Sequence, residues 1–127
     1  MSDYTVTPVT EIPDVFEGKW PGAMRMLHHE QIAFTYREMP PGAGGRGSYG
    51  HRHKQQEEIY YVISGRLTFK LGDDVVEVGD HNVVRIAPGT VRSVHNDGDA
   101  DAELLIISIR LDDSRGDVEM VADFWPQ

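Results

Sequence analysis

Between Glu57 and Leu111 the sequence alternates short runs of Val, Ile, Leu, Tyr and Phe with turn-forming residues, and no helical period intervenes. No other feature constrains the fold as tightly. β-Branched and aromatic side chains suit a pleated, half-buried surface, and Gly, Asp, Asn and Pro end each run within a few residues. The runs predict strands over Glu57–Ser64, Arg66–Leu71, Val75–Val78, Asn82–Ile86, Val91–Asn96 and Glu103–Leu111. Gly65, Gly72-Asp73-Asp74, Gly79-Asp80, Pro88-Gly89 and Asn96-Asp97-Gly98-Asp99 are the predicted turns. Strands in such quick succession leave no room for crossover helices, so a parallel βαβ sheet is excluded and an all-β antiparallel sandwich or barrel is expected.

The 127 residues suit one domain. Residues up to about 30 mix Pro8, Pro13 and Pro21 with Gly18 and Gly22 and read as an irregular arm with one short strand at most. The barrel is expected over about 31–111. Phe34 and Tyr36 lie on a strand there, facing either the pocket or a partner sheet. After Pro40-Pro41 the run Gly42-Ala43-Gly44-Gly45-Arg46-Gly47 has too little side chain to pack and is a loop. The tail, 112–127, carries Val118, Met120, Val121, Phe124 and Trp125, which predict a short amphipathic turn on the barrel end. Leu104-Leu105-Ile106-Ile107 is apolar at consecutive positions and calls for cover on both faces, by a second sheet, the arm or a partner subunit.

Composition removes several functions. With 12 Lys+Arg against 21 Asp+Glu the net charge is −9, which opposes binding to nucleic acid or anionic lipid. There is no cysteine, so thiolate catalysis, disulfides and sulfur-ligated zinc are excluded and any metal must take nitrogen and oxygen ligands. The N-terminal residues lack the basic start and apolar run of a secretory signal, and no run is apolar for the roughly 20 residues that span a bilayer. The expectation is a cytoplasmic protein acting on a small molecule.

His51-Arg52-His53 carries the chemistry. Strand residues two apart share a face, so both imidazoles point one way. If the chain turns tightly after His53, the Glu58 carboxylate returns to them. Two imidazole nitrogens and one carboxylate oxygen suit Fe, Mn, Zn, Ni or Cu as divalent ions and leave coordination positions open for water and substrate.

Spacing extends this triplet into a longer pattern. Gly45, five residues, His51, one residue, His53, four residues, Glu58, six residues and Gly65 resemble the first motif of the cupins. Gly79-Asp80, Pro88-Gly89 and Asn96 resemble the second more loosely. The resemblance implies the cupin fold, an antiparallel double-stranded β-helix or jelly-roll barrel, in a small single-domain member of the cupin type-2 class. It also implies a homodimer, in which N-terminal strands are often exchanged.

One position departs from the family. Where metal-binding cupins place a fourth ligand, a histidine, this chain has Arg92. Arginine stays protonated and has no lone pair to give. In one reading a metal sits on His51, His53 and Glu58 while Arg92 anchors an anionic group of the substrate. In the other the metal is lost and Arg92 pairs with Glu58. His95 does not fill the gap, because Arg92, Val94 and Asn96 share one face and His95 lies on the other unless a bulge intervenes.

The remaining candidates have plainer readings. Tyr60 shares Glu58's face and either hydrogen-bonds a substrate or fills the barrel. Glu57 faces outward, exposed or paired with Lys54 or Arg66. His28 and His29 are adjacent and cannot easily share an ion; His81 sits in a turn; the acidic run from Asp97 to Glu103 lacks the ordered spacing of a calcium loop. Three functions follow: a metal enzyme of oxygenase, isomerase or lyase type, a metal-free epimerase-like enzyme using His51 or His53 with Tyr60, or a binding protein without turnover.

Overall fold

The computed structural model describes residues 3–127, so the first two residues of the arm lie outside it. Among the described residues, ten strands form two antiparallel sheets. The first sheet has the order β1 (Met24–His28), β2 (Ile32–Met39), β9 (Ala102–Ile109), β4 (Glu58–Ser64), β7 (Val83–Ile86). The second has the order β10 (Val118–Trp125), β3 (Ser48–His53), β8 (Arg92–His95), β5 (Arg66–Leu71), β6 (Asp74–Gly79). The arm contributes a single 3-10 turn, Val9–Glu11, before β1, and one helical turn, Ser114–Asp117, precedes β10.

The six strands expected between Glu57 and Leu111 are all present, with ends displaced by at most two residues. Two elements extend the sheets beyond the expected barrel. β1 pairs with β2 from Met24↔Arg37 to His28↔Ala33. The tail is not an amphipathic turn: Val118–Trp125 is an edge strand on β3, and its register shifts between Val121 and Trp125. Asp123 there has φ 56, so the irregularity breaks the alternation that marks a strand.

Inward-facing residues of both sheets make one core, built on Met39, Tyr60, Val62, Leu67, Phe69, Ile86 and Leu104. Burying each large side chain contributes about 1.5–3 kcal/mol. Two motif residues serve this packing. Gly65 has φ 82, and a Cβ there would lie 2.7 Å from Asp101 O, so only glycine turns the chain from β4 into β5. Asn96 is fully buried; its Nδ2 donates to Met39 O and Ala100 O, both at 2.8 Å, and its Oδ1 accepts from Gly98 N at 2.9 Å.

Leu104 is fully buried, but the opposite face of β9 is not covered by this chain: Ile107 is 37% exposed and its cross-strand partner Ile59 is 41% exposed. Phe34 and Tyr36 lie on that same outer face, and the Tyr36 hydroxyl hydrogen-bonds Glu103. Glu57 pairs with Arg85, at 2.5 Å, and not with Lys54 or Arg66, because β7 and not β5 adjoins β4. Among the described residues no helix is long and apolar enough to cross a membrane.

Candidate metal centre

β3 runs between β10 and β8, with Met120 opposite His51 on one side and Arg92 opposite His51 on the other. Strand alternation turns His51 and His53 inward together, with ring centres 5.2 Å apart and planes at 80°. The chain then reverses over Lys54–Glu57 to begin β4 at Glu58. Asp117 pins that reversal. Its carboxylate accepts from Gln55 N at 2.7 Å and Gln56 N at 3.2 Å, and its carbonyl accepts from Lys54 N at 2.9 Å. The Gln56 side chain donates to Ile109 O at 2.6 Å.

The reversal delivers Glu58 to the imidazoles. One ligand atom from each of His51, His53 and Glu58 lies within 4.8 Å of the others, a group able to hold a metal ion. Glu58 Oε1 is 3.2 Å from His53 Nε2 and accepts the Tyr60 hydroxyl at 3.2 Å. His53 Nδ1 lies 3.0 Å from Asp117 Oδ2. Asp117 is held below the ordinary carboxylate range: burial works to raise it, but the amides of Gln56 and Gln55 and the His53 ring prevail. An ionised carboxylate only accepts, so Nδ1 carries the proton and Nε2 turns its other side toward Glu58.

This arrangement has a defect that a cation repairs. His53 Nε2 is buried without a hydrogen-bond partner, although Glu58 Oε1 lies 3.2 Å away. An imidazole lone pair facing a carboxylate in a site where His53 is 7% and Glu58 8% exposed needs positive charge between them. Either a proton or a metal ion supplies it. Burial alone would lower His53, yet Glu58 and Asp117 outweigh it and the net shift is upward. Burial, opposed by Glu58, pushes His51 down to about 4, so that ring keeps a free lone pair at neutral pH. Burial works to raise Glu58, but His53, Arg92 and His51 bring it below the usual glutamate value.

Arg92 is 1% exposed. Its Nη2 donates to Ala87 O at 3.0 Å, whereas Nε and Nη1 are buried without partners. Nε stands 3.9 Å from Glu58 Oε1, within ion-pair range and beyond hydrogen bonding. Arg92 is thus held back from the ligand atoms with two unused donors. A metal and a guanidinium repel each other, so this spacing weakens a cation's hold on the site and favours an anion lying between the two.

His95 is outside this group: it packs edge-on against Trp125 at 6.1 Å and lies 3.7 Å from Asp97. His81 contacts Tyr61, 3.0 Å from Nδ1 to hydroxyl. His28 and His29 are exposed. Two surface clefts lie elsewhere, one beside Ile12, Leu27 and Phe34, the other beside Tyr36, Glu38 and Glu103. Neither contains the ligand triplet. Asp117 escaped the reading of the sequence because nothing local marks a contact across 64 positions. Arg37 lies on the inner face of β2, opposite to Phe34 and Tyr36.

A family model for the cupin domain matches residues 35–108. An oxalate-binding protein of Thermotoga maritima is 30% identical over 86 residues, 67% of this chain and 68% of that protein. Among solved structures, one named for a predicted oxalate decarboxylase of Thermotoga maritima has 26% identity and a TM-score of 0.68, covering 84% of this chain and all of that one. A double-stranded β-helix protein of Klebsiella pneumoniae, 16% identical with a TM-score of 0.71, covers 94% and 98% and shares the fold.

Proposed function

Because the chain belongs to the cupin family, we propose that its His51–His53–Glu58 group binds a divalent metal and acts with Arg92 on a small carboxylate. The observation that carries this reading is the orphaned His53 Nε2 beside Glu58, with the two unpartnered Arg92 donors close by. When bound, the metal would polarise a coordinated oxygen and stabilise negative charge developing on it. His51, His53 and Glu58 hold it, and Asp117 fixes the orientation of His53. Arg92 would orient the anion by paired hydrogen bonds from Nε and Nη1. That a relative is named for oxalate binding supports a carboxylate as the anion.

The metal-free alternative keeps one observation, the 3.9 Å approach of Arg92 to Glu58. Its proton donor is less convincing. The Tyr60 hydroxyl is buried and spent on Glu58, and burial pushes its titration well above the usual tyrosine value. Elemental analysis of untagged protein, with melting temperatures after adding Fe(II), Mn(II), Ni(II) or Zn(II), separates the readings. Bound metal or a raised melting temperature supports the metal centre; neither, for any ion, overturns it. The exposed Ile59 and Ile107 further support a second copy of the chain packed on the outer face of the first sheet.

A further inference from the structure

A second arginine on the inner wall remains unused. Arg37 pairs across to Leu104, which in turn pairs with Val62, and both are fully buried. The row therefore faces the barrel interior. Tyr60 of β4 meets Phe69 of β5 with ring centres 5.7 Å apart, and both strands stand fourth in their sheets. β2 and β3 both stand second, so Arg37 lies on the wall facing Tyr49 and His51. Tyr49 is exposed and the Arg37 side chain half-buried, which places this end of the site toward solvent.

Among the described residues Arg37 has no ion-pair or side-chain hydrogen-bond partner. Its aromatic neighbour is Phe16 of the arm, 5.8 Å from guanidinium carbon to ring centre. Desolvation, partly offset by Tyr60 and Tyr49, lowers it from the usual arginine range. A desolvated guanidinium without a carboxylate is costly unless a ligand supplies one. Arg92 projects from the other sheet, with Nη2 committed to Ala87 O and two donors left for a single carboxylate. One anionic group on the metal side leaves Arg37 unserved.

We propose that Arg37 is a specificity-determining residue of the same site, taking the far carboxylate of a dicarboxylate whose near carboxylate lies on the metal centre and Arg92. This rests on the metal-centre reading above and adds a requirement of length. The two carboxylates must be separated by at least one carbon to reach opposite walls. Oxalate, with its carboxylates directly bonded, engages one end only.

Calorimetric titration of Mn(II)-loaded, untagged protein with oxalate, malonate, succinate, glutarate, acetate and butyrate tests this, using wild type, Arg37→Met, Arg37→Lys and Arg92→Met. Wild type is expected to bind its best longer dicarboxylate at least about tenfold more tightly than oxalate or butyrate. Arg37→Met removes that preference and leaves oxalate and the monocarboxylates within about twofold of wild type; Arg37→Lys restores part of it. Arg92→Met weakens every carboxylate. An Arg37→Met variant that binds all six anions like wild type, or weakens all equally, overturns the assignment while the metal centre stands. Failure of wild type to take up any of Fe(II), Mn(II), Ni(II) or Zn(II) overturns the metal-centre reading and this inference with it.

Discussion

Arg92 is the direct cross-strand partner of His51, so a permanent cation is built into the strand that flanks the ligand triplet. It stands opposite a histidine whose own lone pair is kept free by burial. Arg92→His removes the nearby positive charge and offers a fourth nitrogen. Metal affinity is expected to rise by about tenfold or more, read as slower loss to a chelator. Carboxylate binding should fall at the same time, and an unchanged chelation rate would mean that the new imidazole does not reach the ion.

Asp117 acts on the site through His53. Asp117→Asn keeps the size of the side chain but removes the charge that fixes the Nδ1 proton and accepts from two amides. Metal affinity should drop by about 10- to 100-fold, as for other outer partners of ligand histidines. Competition with a chromophoric zinc chelator measures it, and circular dichroism establishes that the barrel has survived.

Tyr36, Ser64 and Glu103 form a network away from His51, His53 and Glu58. The Tyr36 and Ser64 hydroxyls hold Glu103 below the 4.5 of an ordinary glutamate, a bias that modest burial only partly opposes. A carboxyl lowered by folding stabilises the native state above its unfolded value, and that contribution fades as pH falls through the folded value. Tyr36→Phe should therefore destabilise by about 1 kcal/mol or less at neutral pH. The difference from wild type should shrink below pH 4.5, as urea melts across pH will register.

Ile107 lies at the centre of the uncovered outer face and pairs with both Phe34 and Ile59. Ile107→Glu places a charge where a second copy would pack, while Leu104 beneath stays untouched. Wild type should sediment as a dimer and the variant as a monomer with a native circular dichroism spectrum. A monomeric wild type at micromolar concentration would remove the case for a partner on this face.

The strands were legible where turn chemistry and alternation agree, as at Gly65, where φ 82 leaves no other residue an easy fit. His51, His53 and Glu58 were legible because parity fixes the face of each imidazole and a short reversal brings the carboxylate back. β10 was not, since the bulge between Val121 and Trp125 and the left-handed Asp123 disturb its period. With β10 unread, Asp117 had no place in the site. Glu57 faces outward and is exposed, as its parity requires, but its pairing with Arg85 was not legible for a related reason: pairing of β4 with β7 depends on sheet order, which local spacing does not encode.

Asp117 follows His53 by 64 positions yet governs how that imidazole presents itself. During synthesis the three donors emerge well before the residue that orients one of them. A nascent chain that has passed Glu58 but not Asp117 would offer an untuned His53. Any ion held by the three donors would therefore meet an oriented His53 only once β10 has docked beside β3.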